Sequence, residues 1–276
     1  MNGTDLSKAL HDGQRAYGTC IVSTSPQWVG MIAGIGLDFV FIDTEHIPID
    51  RAQLGWMCQA YAGHGLAPIV RIPKPDPYLA CMAIDGGAAG VVAPYMEDPA
   101  EVQDLRGAVK YRPLKGRRLQ RVLDGEEELE GELAAYLAEY RRGKLLTVNI
   151  ESVPAIDALD DLLAVPDIDA LLVGPHDLSI SLGIPEQYAD PAFTEAMRTI
   201  IAKAREQHVG VGFHYSFGIE DTLRWARLGA NLIVHSTDIF LVRDVLRADM
   251  MRFHRELGDG VSGGPAGAGG AETVVV

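Results

Sequence analysis

Eight short apolar segments, each followed by a stretch in which apolar residues recur at helical spacing, constrain the fold of this chain most strongly. Residues 38–42 (Asp-Phe-Val-Phe-Ile) and 145–150 (Leu-Leu-Thr-Val-Asn-Ile) are typical of parallel strands that helices cover on both faces. Eight such strands alternating with helices predict a single-domain α/β chain with the (β/α)8 (TIM) barrel fold. The other six predicted strands lie at residues 17–23, 67–71, 90–93, 168–173, 209–213 and 231–235.

An open, doubly wound parallel sheet is the alternative fold for the same alternation of strands and helices. A doubly wound sheet that binds a dinucleotide carries Gly-x-Gly-x-x-Gly directly after its first strand. This chain has no such motif there, and its glycine-rich segment 86–90 comes before a predicted strand instead. The segment is interpreted as a helix terminator, so the barrel is the preferred prediction.

The barrel is predicted to occupy residues 1–257, because 276 residues that are 47% hydrophobic suffice for one large core. Residues 258–276 are rich in glycine and alanine and are predicted to form a disordered tail. The basic segment 110–124 is predicted to be a long loop, and the acidic segment 126–142 an amphipathic helix.

The charge and the cysteines restrict the partners and the compartment. A net charge of −14 leaves no basic face that could release counterions from a nucleic acid or bind an anionic membrane. The three cysteines have no paired spacing, the first residues resemble no signal peptide, and no apolar run reaches the length of a membrane span. We therefore expect a cytoplasmic protein without a nucleic-acid or membrane partner.

Two carboxylates follow neighbouring predicted strands. Glu151 comes directly after the fifth strand, and Asp177 follows the sixth, with a helical segment between them. A strand–helix–strand crossover places the two strands side by side, so both acids lie at the same end of the barrel, here called the rim. Two hard oxygen ligands on one rim indicate a site for a divalent cation, although either acid could simply cap the helix that follows it.

Other reactive side chains are also predicted at the ends of strands, where barrel enzymes carry their chemistry. Asp43 and His46 follow the second strand, and Arg71 ends the third. An imidazole titrates near neutral pH and suits a general base, whereas an arginine at the rim favours an anionic or carbonyl ligand. A structural role remains open for each of them, as for the other rim histidines, His176, His214 and His235.

Four segments occur in order along the chain: LDFVFIDTEH (37–46), VR (70–71), NIES (149–152) and GPHDLS (174–179). Together they resemble the HpcH/HpaI aldolases, a family of metal-dependent (class II) pyruvate aldolases. The resemblance covers roughly residues 6–257, and it includes the Tyr-x-Pro-x-x-Gly-Arg segment that begins at Tyr111.

The resemblance implies a (β/α)8 barrel that assembles as a homo-oligomer, a hexamer or trimer of dimers, with the last helix packed on a neighbouring subunit. It implies that a divalent cation (Mg, Mn, Co or Zn) is held by Glu151 and Asp177. It also implies that Arg71 contacts the keto oxygen of pyruvate and that His46 acts as a base oriented by Asp43.

The resemblance further places Asn149, Gly174, Pro175 and His176 around the substrate. The chain departs from the family pattern at Thr44, Asn149, His176 and Arg118, where Gly, Gln, Ala and Gly are the more frequent residues. These departures leave the acceptor open. Arg117, in the basic segment, is predicted to bind a distal carboxylate or phosphate of the acceptor.

The predicted reaction is reversible aldol cleavage of a 4-hydroxy-2-oxo acid to pyruvate, or a related 2-oxo acid, and an aldehyde through a metal-stabilised enolate. No lysine ends a predicted strand, which disfavours a Schiff-base aldolase. The alternatives are related enolate chemistry in a decarboxylating or condensing enzyme, and a metal-dependent hydrolase barrel with a further ligand from His214 or His235.

Overall fold

The computed structural model of the chain describes residues 1–215 and 218–259, without the side chain of Tyr215. Its eight strands pair in parallel, in sequence order, and close into one barrel, which confirms the predicted (β/α)8 fold. Residues 260–276 lie outside the described residues, so the disordered tail stays a prediction. The strands are β1 (Ala16–Ile21), β2 (Phe39–Asp43), β3 (Ala67–Arg71), β4 (Gly90–Ala93), β5 (Leu145–Ile150), β6 (Ala170–Val173), β7 (Gly210–Tyr215) and β8 (Leu232–Thr237).

Helices follow the strands and cover the outside of the barrel, and a further helix, α1, precedes the first strand. Prolines at the first helical positions and aspartates at the N-caps begin several of them, for example Asp76 before α4 and Asp98 before α5. The helices are α1 (Gly3–His11), α2 (Pro26–Ile32), α3 (Arg51–Gly63), α4 (Pro77–Asp85), α5 (Pro99–Lys110), α6 (Gly116–Leu123), α7 (Gly131–Arg141), α8 (Val153–Asp157), α9 (Leu159–Ala164), α10 (Pro175–Ser181), α11 (Pro191–Glu206), α12 (Ile219–Arg227) and α13 (Asp238–Leu257).

Alternation along each strand separates two apolar cores. In β2, Phe39 and Phe41 belong to the core inside the barrel, while Val40 and Ile42 belong to the core between the sheet and the helices. Leu6 and Leu10 of α1 join the inner core, so this helix closes the end of the barrel where the strands begin. Because side chains alternate between faces, every second residue of a strand continues the inner row towards the rim.

Two local predictions were wrong. The segment predicted as a long loop contains α6, whose apolar residues Leu119, Val122 and Leu123 recur at helical spacing and pack in a small cluster with Leu137 of α7. The high density of arginines in this segment hid that spacing. The acidic helix begins only at Gly131, because Glu127 forms ion pairs with arginines of α6 instead of entering a helix.

The last helix, α13, contrasts with the others. It has 20 residues, but Asp238 is its one buried residue. Its exposed apolar side chains include Val245 (64% exposed), Met251 (64%) and Leu257 (70%). Within the described parts of the chain, no helix is long and apolar enough to cross a membrane.

Candidate active site

Three polar side chains continue the inner row of the barrel at the rim. Each stands two residues after an inward-facing residue of its strand, so alternation turns it into the barrel. All three are buried. These residues are Asp43 after Phe41, Arg71 after Ile69 and Asn149 after Thr147.

Asp43 and Arg71 form a two-pronged ion pair between adjacent strands. The Arg71 Nε donates to Asp43 Oδ1 at 2.9 Å, and Nη2 donates to Oδ2 at 2.7 Å. Burial alone would lower the pKa of Arg71, but the hydrogen bonds and charge of Asp43 raise it above its usual value. The guanidinium therefore stays charged, and three of its five N–H groups remain for another ligand.

Glu151 is held at the rim by one hydrogen bond to each oxygen. Asn149 Nδ2 donates to Oε1 at 2.8 Å, and the backbone N–H of Tyr95 donates to Oε2 at 3.1 Å. Burial raises the pKa of Glu151 to about 7, and the nearby negative charge of Asp177 acts in the same direction. The carboxylate is therefore short of positive charge, and each oxygen retains room for a further ligand.

Asn149, which holds Glu151, has a buried oxygen without a hydrogen-bond partner. Its Oδ1 is buried and accepts no hydrogen bond from the described residues. A buried acceptor without a partner costs free energy unless a water, an ion or a ligand satisfies it. Because the same side chain donates to Glu151, the unpaired oxygen lies in the site of the Glu151 carboxylate.

Gly174, between β6 and α10, supports the Glu151 carboxylate by having no side chain. A Cβ at this position would lie 2.4 Å from Glu151 Oε1 and 2.9 Å from its Cγ. Glu151 therefore fills the space that any other residue at position 174 would need. The sequence placed Gly174 near the substrate, whereas its contact in the structure is with the predicted metal ligand.

Gly174→Ala is expected to displace the Glu151 carboxylate without unfolding the barrel, because the clash is with the end of a flexible side chain. We expect metal affinity to fall about 10–100-fold, as when a partner of a metal ligand is lost. Isothermal titration with Mn²⁺ measures this. Gly30→Ala is the matched control, since a Cβ at Gly30 meets nothing within 4 Å. Unchanged Mn²⁺ affinity in Gly174→Ala would contradict the assigned contact.

The remaining rim residues predicted from β6 lie in the first turn of α10. Pro175 is buried, Asp177 is half-buried, and His176 is exposed. The charge of Asp177 reaches both Glu151 and Tyr95, whose pKa values it helps to raise. His176 Nδ1 lies 3.7 Å from Glu186 Oε1, so this imidazole faces the acid of a neighbouring loop.

His46 is at the rim, and its ion-pair contact is with Glu45. The His46 Nε2 lies 3.7 Å from Glu45 Oε2, which is also 3.2 Å from Arg71 Nε. Both oxygens of Asp43 accept hydrogen bonds from Arg71, and Oδ1 accepts a further one from the backbone of Glu45. The orientation of His46 by Asp43 therefore stays a prediction, and Glu45 is the acid that contacts the imidazole.

Tyr95 was not singled out from the sequence, yet it contacts the site through both its backbone and its side chain. It follows β4 and has a φ of 54°, a conformation that L-residues rarely adopt. This conformation accompanies the hydrogen bond from its N–H to Glu151, while interaction with Glu45 raises the pKa of its hydroxyl. Its position directly after the fourth strand, next to Pro94, was the signal that could have identified it.

His214 and His235 end β7 and β8, as predicted, but His214 is poorly placed to bind a metal. Its Nε2 lies 3.2 Å from the Ser236 carbonyl, to which the ring donates. Burial lowers the pKa of His214 to about 4, so the ring is neutral. Asp238 accepts hydrogen bonds from the backbone N–H groups of Val22 and Ser23, which ties the start of α13 to the segment after β1.

Arg117 lies apart from these residues. It is exposed in the first turn of α6, which packs on the outer helices α5 and α7. In the described structure it makes no hydrogen bond or ion pair with a rim residue. Its predicted contact with the acceptor stays a prediction.

The charges at the rim favour a bound cation. The carboxylates of Asp43, Glu45 and Glu151 lie near the guanidinium of Arg71, and the charge of Asp177 acts on Glu151. The hydrogen bonds of Arg71 go to Asp43, and its more distant charge lowers the pKa of Glu151 less than burial raises it. Neither Glu151 nor Asp177 has an ion-pair partner within 4 Å among the described residues. Two acids with an orphaned amide oxygen beside them fit a hard divalent ion that keeps positions open for substrate.

A site built from several histidines or cysteines is not found. Across residues 1–215 and 218–259, no group of three or more His, Cys, Asp or Glu side chains is arranged to hold a metal ion. A hydrolase site with His214 or His235 as a third ligand therefore gains no support among these residues, and the metal site of Glu151 and Asp177 stays a prediction.

Comparison with known proteins decides the family. The model of the HpcH/HpaI aldolase/citrate lyase family matches residues 17–244. The chain belongs to this family. The resemblance predicted from the four motifs is confirmed, and with it the assignment to the lyases of the class II pyruvate aldolase type. Members of the family generally depend on a divalent metal ion and act on small molecules.

Three relatives illustrate this membership. The chain is 26% identical to the hydroxypyruvate/pyruvate aldolase of Roseovarius nubinhibens, over 91% of this chain and 97% of that protein. It is 28% identical to the 2-keto-3-deoxy-L-rhamnonate aldolase of Shigella boydii, over 90% of this chain and 92% of that protein. The crystal structure of the citrate synthase SbnG is 26% identical, with a TM-score of 0.78, over 92% of this chain and 99% of that one.

Proposed function

We propose that this protein catalyses reversible, metal-dependent aldol cleavage of a 4-hydroxy-2-oxo acid to pyruvate, or a related 2-oxo acid, and an aldehyde. The observation that carries the proposal is the buried carboxylate of Glu151, which has the negative charge of Asp177 nearby and no ion-pair partner among the described residues, with the charged guanidinium of Arg71 on the same rim. The names of the two aldolase relatives support the same class of reaction.

Glu151 and Asp177 would hold the cation, and Mg²⁺ or Mn²⁺ suits two carboxylate oxygens better than a softer metal. When bound, a divalent cation polarises the keto group of a 2-oxo acid and makes its methyl protons more acidic. Asn149 keeps Glu151 in place through its amide N–H, and its Oδ1 would accept a hydrogen bond from a water or a hydroxyl group in the site.

Arg71 supplies the fixed positive charge of the chain itself. Asp43 accepts from two of its N–H groups, and the others would donate to a keto oxygen whose negative charge grows as the proton leaves. Asp43 is fully buried, so the guanidinium cannot swing away without leaving an unpaired charge in the barrel. The pair therefore arranges the donors before substrate binds.

His46 would remove the methyl proton, and return it in the reverse direction, because it is a partly exposed imidazole at the rim. Glu45 would hold the ring from one side, and Asp43 remains the alternative predicted from the family. Asn149, Gly174, Pro175 and His176 are proposed to line the space for the substrate. His176 is exposed there, and with Glu186 it would meet the aldehyde part.

The test is exchange of the methyl protons of pyruvate in deuterated water, followed by proton NMR. We expect exchange with Mg²⁺ or Mn²⁺ present, loss of exchange after chelation, and recovery when metal is restored. The assay needs no knowledge of the aldehyde, because exchange reports only proton removal from pyruvate. Exchange that persists after complete chelation would contradict the proposal.

A condensing enzyme is the second candidate, and the similarity to the citrate synthase SbnG favours it. Such an enzyme would use the same residues to remove the proton but would join two substrates for its physiological product. Product analysis with a panel of aldehydes and 2-oxo acids distinguishes the two, since only the aldolase releases pyruvate from 4-hydroxy-2-oxo acids.

The oligomer implied by the family would cover α13. We propose that the exposed apolar residues of α13 pack on a second copy of this chain, because so large an apolar helix face is rare on a monomer. The cytoplasmic location expected from the sequence stays a prediction.

Placing charges on this helix is expected to separate the subunits. Val245→Glu combined with Met251→Glu should lower the molar mass measured by light scattering, because both residues are 64% exposed on α13. Ile219→Glu on α12, at a residue that is 62% exposed, is the control and should leave the mass unchanged. A wild-type protein that is monomeric throughout would contradict the assembly.

A further inference from the structure

A cavity of about 580 Å³ opens at the end of the barrel opposite the rim. Its walls include residues that come directly before strands: Lys144 before β5, Asp169 before β6 and Val209 before β7. Helix α1, the ends of α5 and α7, the segment 163–168 and Gln207 also line it. We call it the basal cavity. It is separated from Glu151 and Arg71 by the length of the barrel.

The basal cavity is basic in a protein whose net charge is −14. Two acids, Asp167 and Asp169, stand among a larger number of basic side chains. Basic side chains therefore outnumber acidic ones in the wall of this cavity, although acids outnumber basic residues in the chain as a whole. The basic residues that line it are Lys8, His11, Lys110, Arg141, Arg142 and Lys144.

The two acids are already engaged. Asp169 Oδ2 accepts from Lys110 Nζ at 2.6 Å and from the backbone N–H of Leu146 at 2.8 Å, and Oδ1 accepts from Ser7 at 2.6 Å. Asp167 Oδ2 accepts from Arg106 at 2.9 Å. These two acids also lie near other lining cations: Arg141 Nη1 is 3.5 Å from Asp167 Oδ1, and His11 Nε2 is 3.4 Å from Asp169 Oδ1. Lys8 and Arg142 pair with Asp12 and Glu139, which do not line the cavity.

Lys144 is the lining cation with no carboxylate within 4 Å among the described residues, although the more distant charge of Glu139 acts on it. Its ammonium group donates to the Tyr140 carbonyl and lies 3.8 Å from the centre of the Tyr140 ring. Burial and the neighbouring charge of Lys110 lower the pKa of Lys144. Lys110 itself, with a side chain that is 8% exposed, uses two of its three N–H groups on Asp169 and the Lys144 carbonyl.

We propose that the basal cavity binds a small metabolite with at least two negative charges, carried by phosphate or carboxylate groups, between Lys144, Lys110 and Lys8. An anion there would relieve the repulsion between Lys110 and Lys144 and use their remaining N–H groups. The volume is within the range of small-molecule sites. The site is independent of the proposed reaction, since it shares no residue with the rim.

The test is isothermal titration of the metal-free protein with two probes, inorganic phosphate and citrate. We expect one site per chain, and binding in Lys144→Gln weaker by at least about tenfold, because a charge-assisted hydrogen bond is lost. Lys8→Gln should also weaken binding; its side chain is 73% exposed, so this variant keeps the fold. Phosphate binding alone would identify a phosphorylated ligand, and citrate binding alone a polycarboxylate.

Lys115→Gln is the matched control, because it removes one positive charge from an exposed residue outside the cavity. Its affinity for the probe should equal that of the wild type, and Glu151→Gln at the rim should also leave it unchanged. Absence of binding by both probes, or equal weakening in Lys115→Gln and Lys144→Gln, would overturn the proposal.

Discussion

Glu151→Gln is expected to abolish the exchange of pyruvate methyl protons while making the metal-free protein more stable. Glutamine keeps the shape but cannot supply the negative charge that holds a cation. The loss of exchange should exceed about a hundredfold, the upper end for a residue that only supports a ligand. Glu97→Gln, at an exposed acid near the same rim, is the control and should exchange normally.

The gain in stability follows from the pKa of Glu151, which burial raises from 4.5 to about 7. A buried carboxyl with a raised pKa costs free energy of folding fully above pH 7, less as the pH falls, and nothing below its unfolded value. The glutamine variant should therefore be more stable at pH 8 by on the order of 2–3 kcal/mol, and equal to the wild type near pH 4.

Thermal denaturation of the metal-free proteins at pH 8 and pH 4 measures this difference. The same competition between proton and cation predicts that the Mn²⁺ affinity of the wild type falls as the pH drops below about 7. Mn²⁺ affinity that is unchanged by the substitution would remove Glu151 from the metal site, whatever happens to stability.

Arg71→Lys is expected to lower kcat/KM for aldol cleavage by about 10²–10³, the usual cost of losing a donor to a developing oxyanion. Lysine keeps the positive charge, but its ammonium group cannot donate two parallel hydrogen bonds to Asp43 and still reach the substrate. Mn²⁺ affinity should be retained, which separates this variant from Glu151→Gln. Steady-state kinetics and metal titration on the same preparation provide both values.

Arg106→Lys is the matched control for Arg71→Lys. Arg106 is also a buried arginine, and it donates to Asp167 at 2.9 Å from the outer helix α5. Its substitution should reduce stability but leave kcat/KM within about twofold, since it touches no rim residue. An Arg71→Lys enzyme with the wild-type rate would show that the shape of the guanidinium is not needed.

The strand order could be predicted from the sequence because buried parallel strands are continuous apolar runs with polar residues at their ends. Asp43 and Arg71 each lie two residues after an inward-facing residue, so alternation turns both side chains into the barrel. The register of β2 and β3 makes these two residues direct partners, which explains why they pair. The acids of β5 and of the segment after β6 meet on the same rim for the same reason.

Side-chain partners could not be predicted in the same way. From the sequence, Asp43 and Glu45 are equally good candidates for an ion pair with Arg71 or His46. Only the packing of the rim shows that Arg71 donates its hydrogen bonds to Asp43. The backbone N–H of Tyr95 donates to Glu151 from a residue with a positive φ after β4. A positive φ at a tyrosine cannot be predicted from the residue type. The helix α6 was missed because its packing surface belongs to a small cluster outside the main core.

The sequence by itself determined the barrel, the family and most of the polar residues that the structure places on the rim, because these depend on residue type, periodicity and order along the chain. Tertiary structure alone decided which oxygens are satisfied, why position 174 must be glycine, and that basic residues distant in sequence line one cavity at the other end. Burial and countercharge depend on neighbours from other strands, and those neighbours are fixed only when the barrel closes.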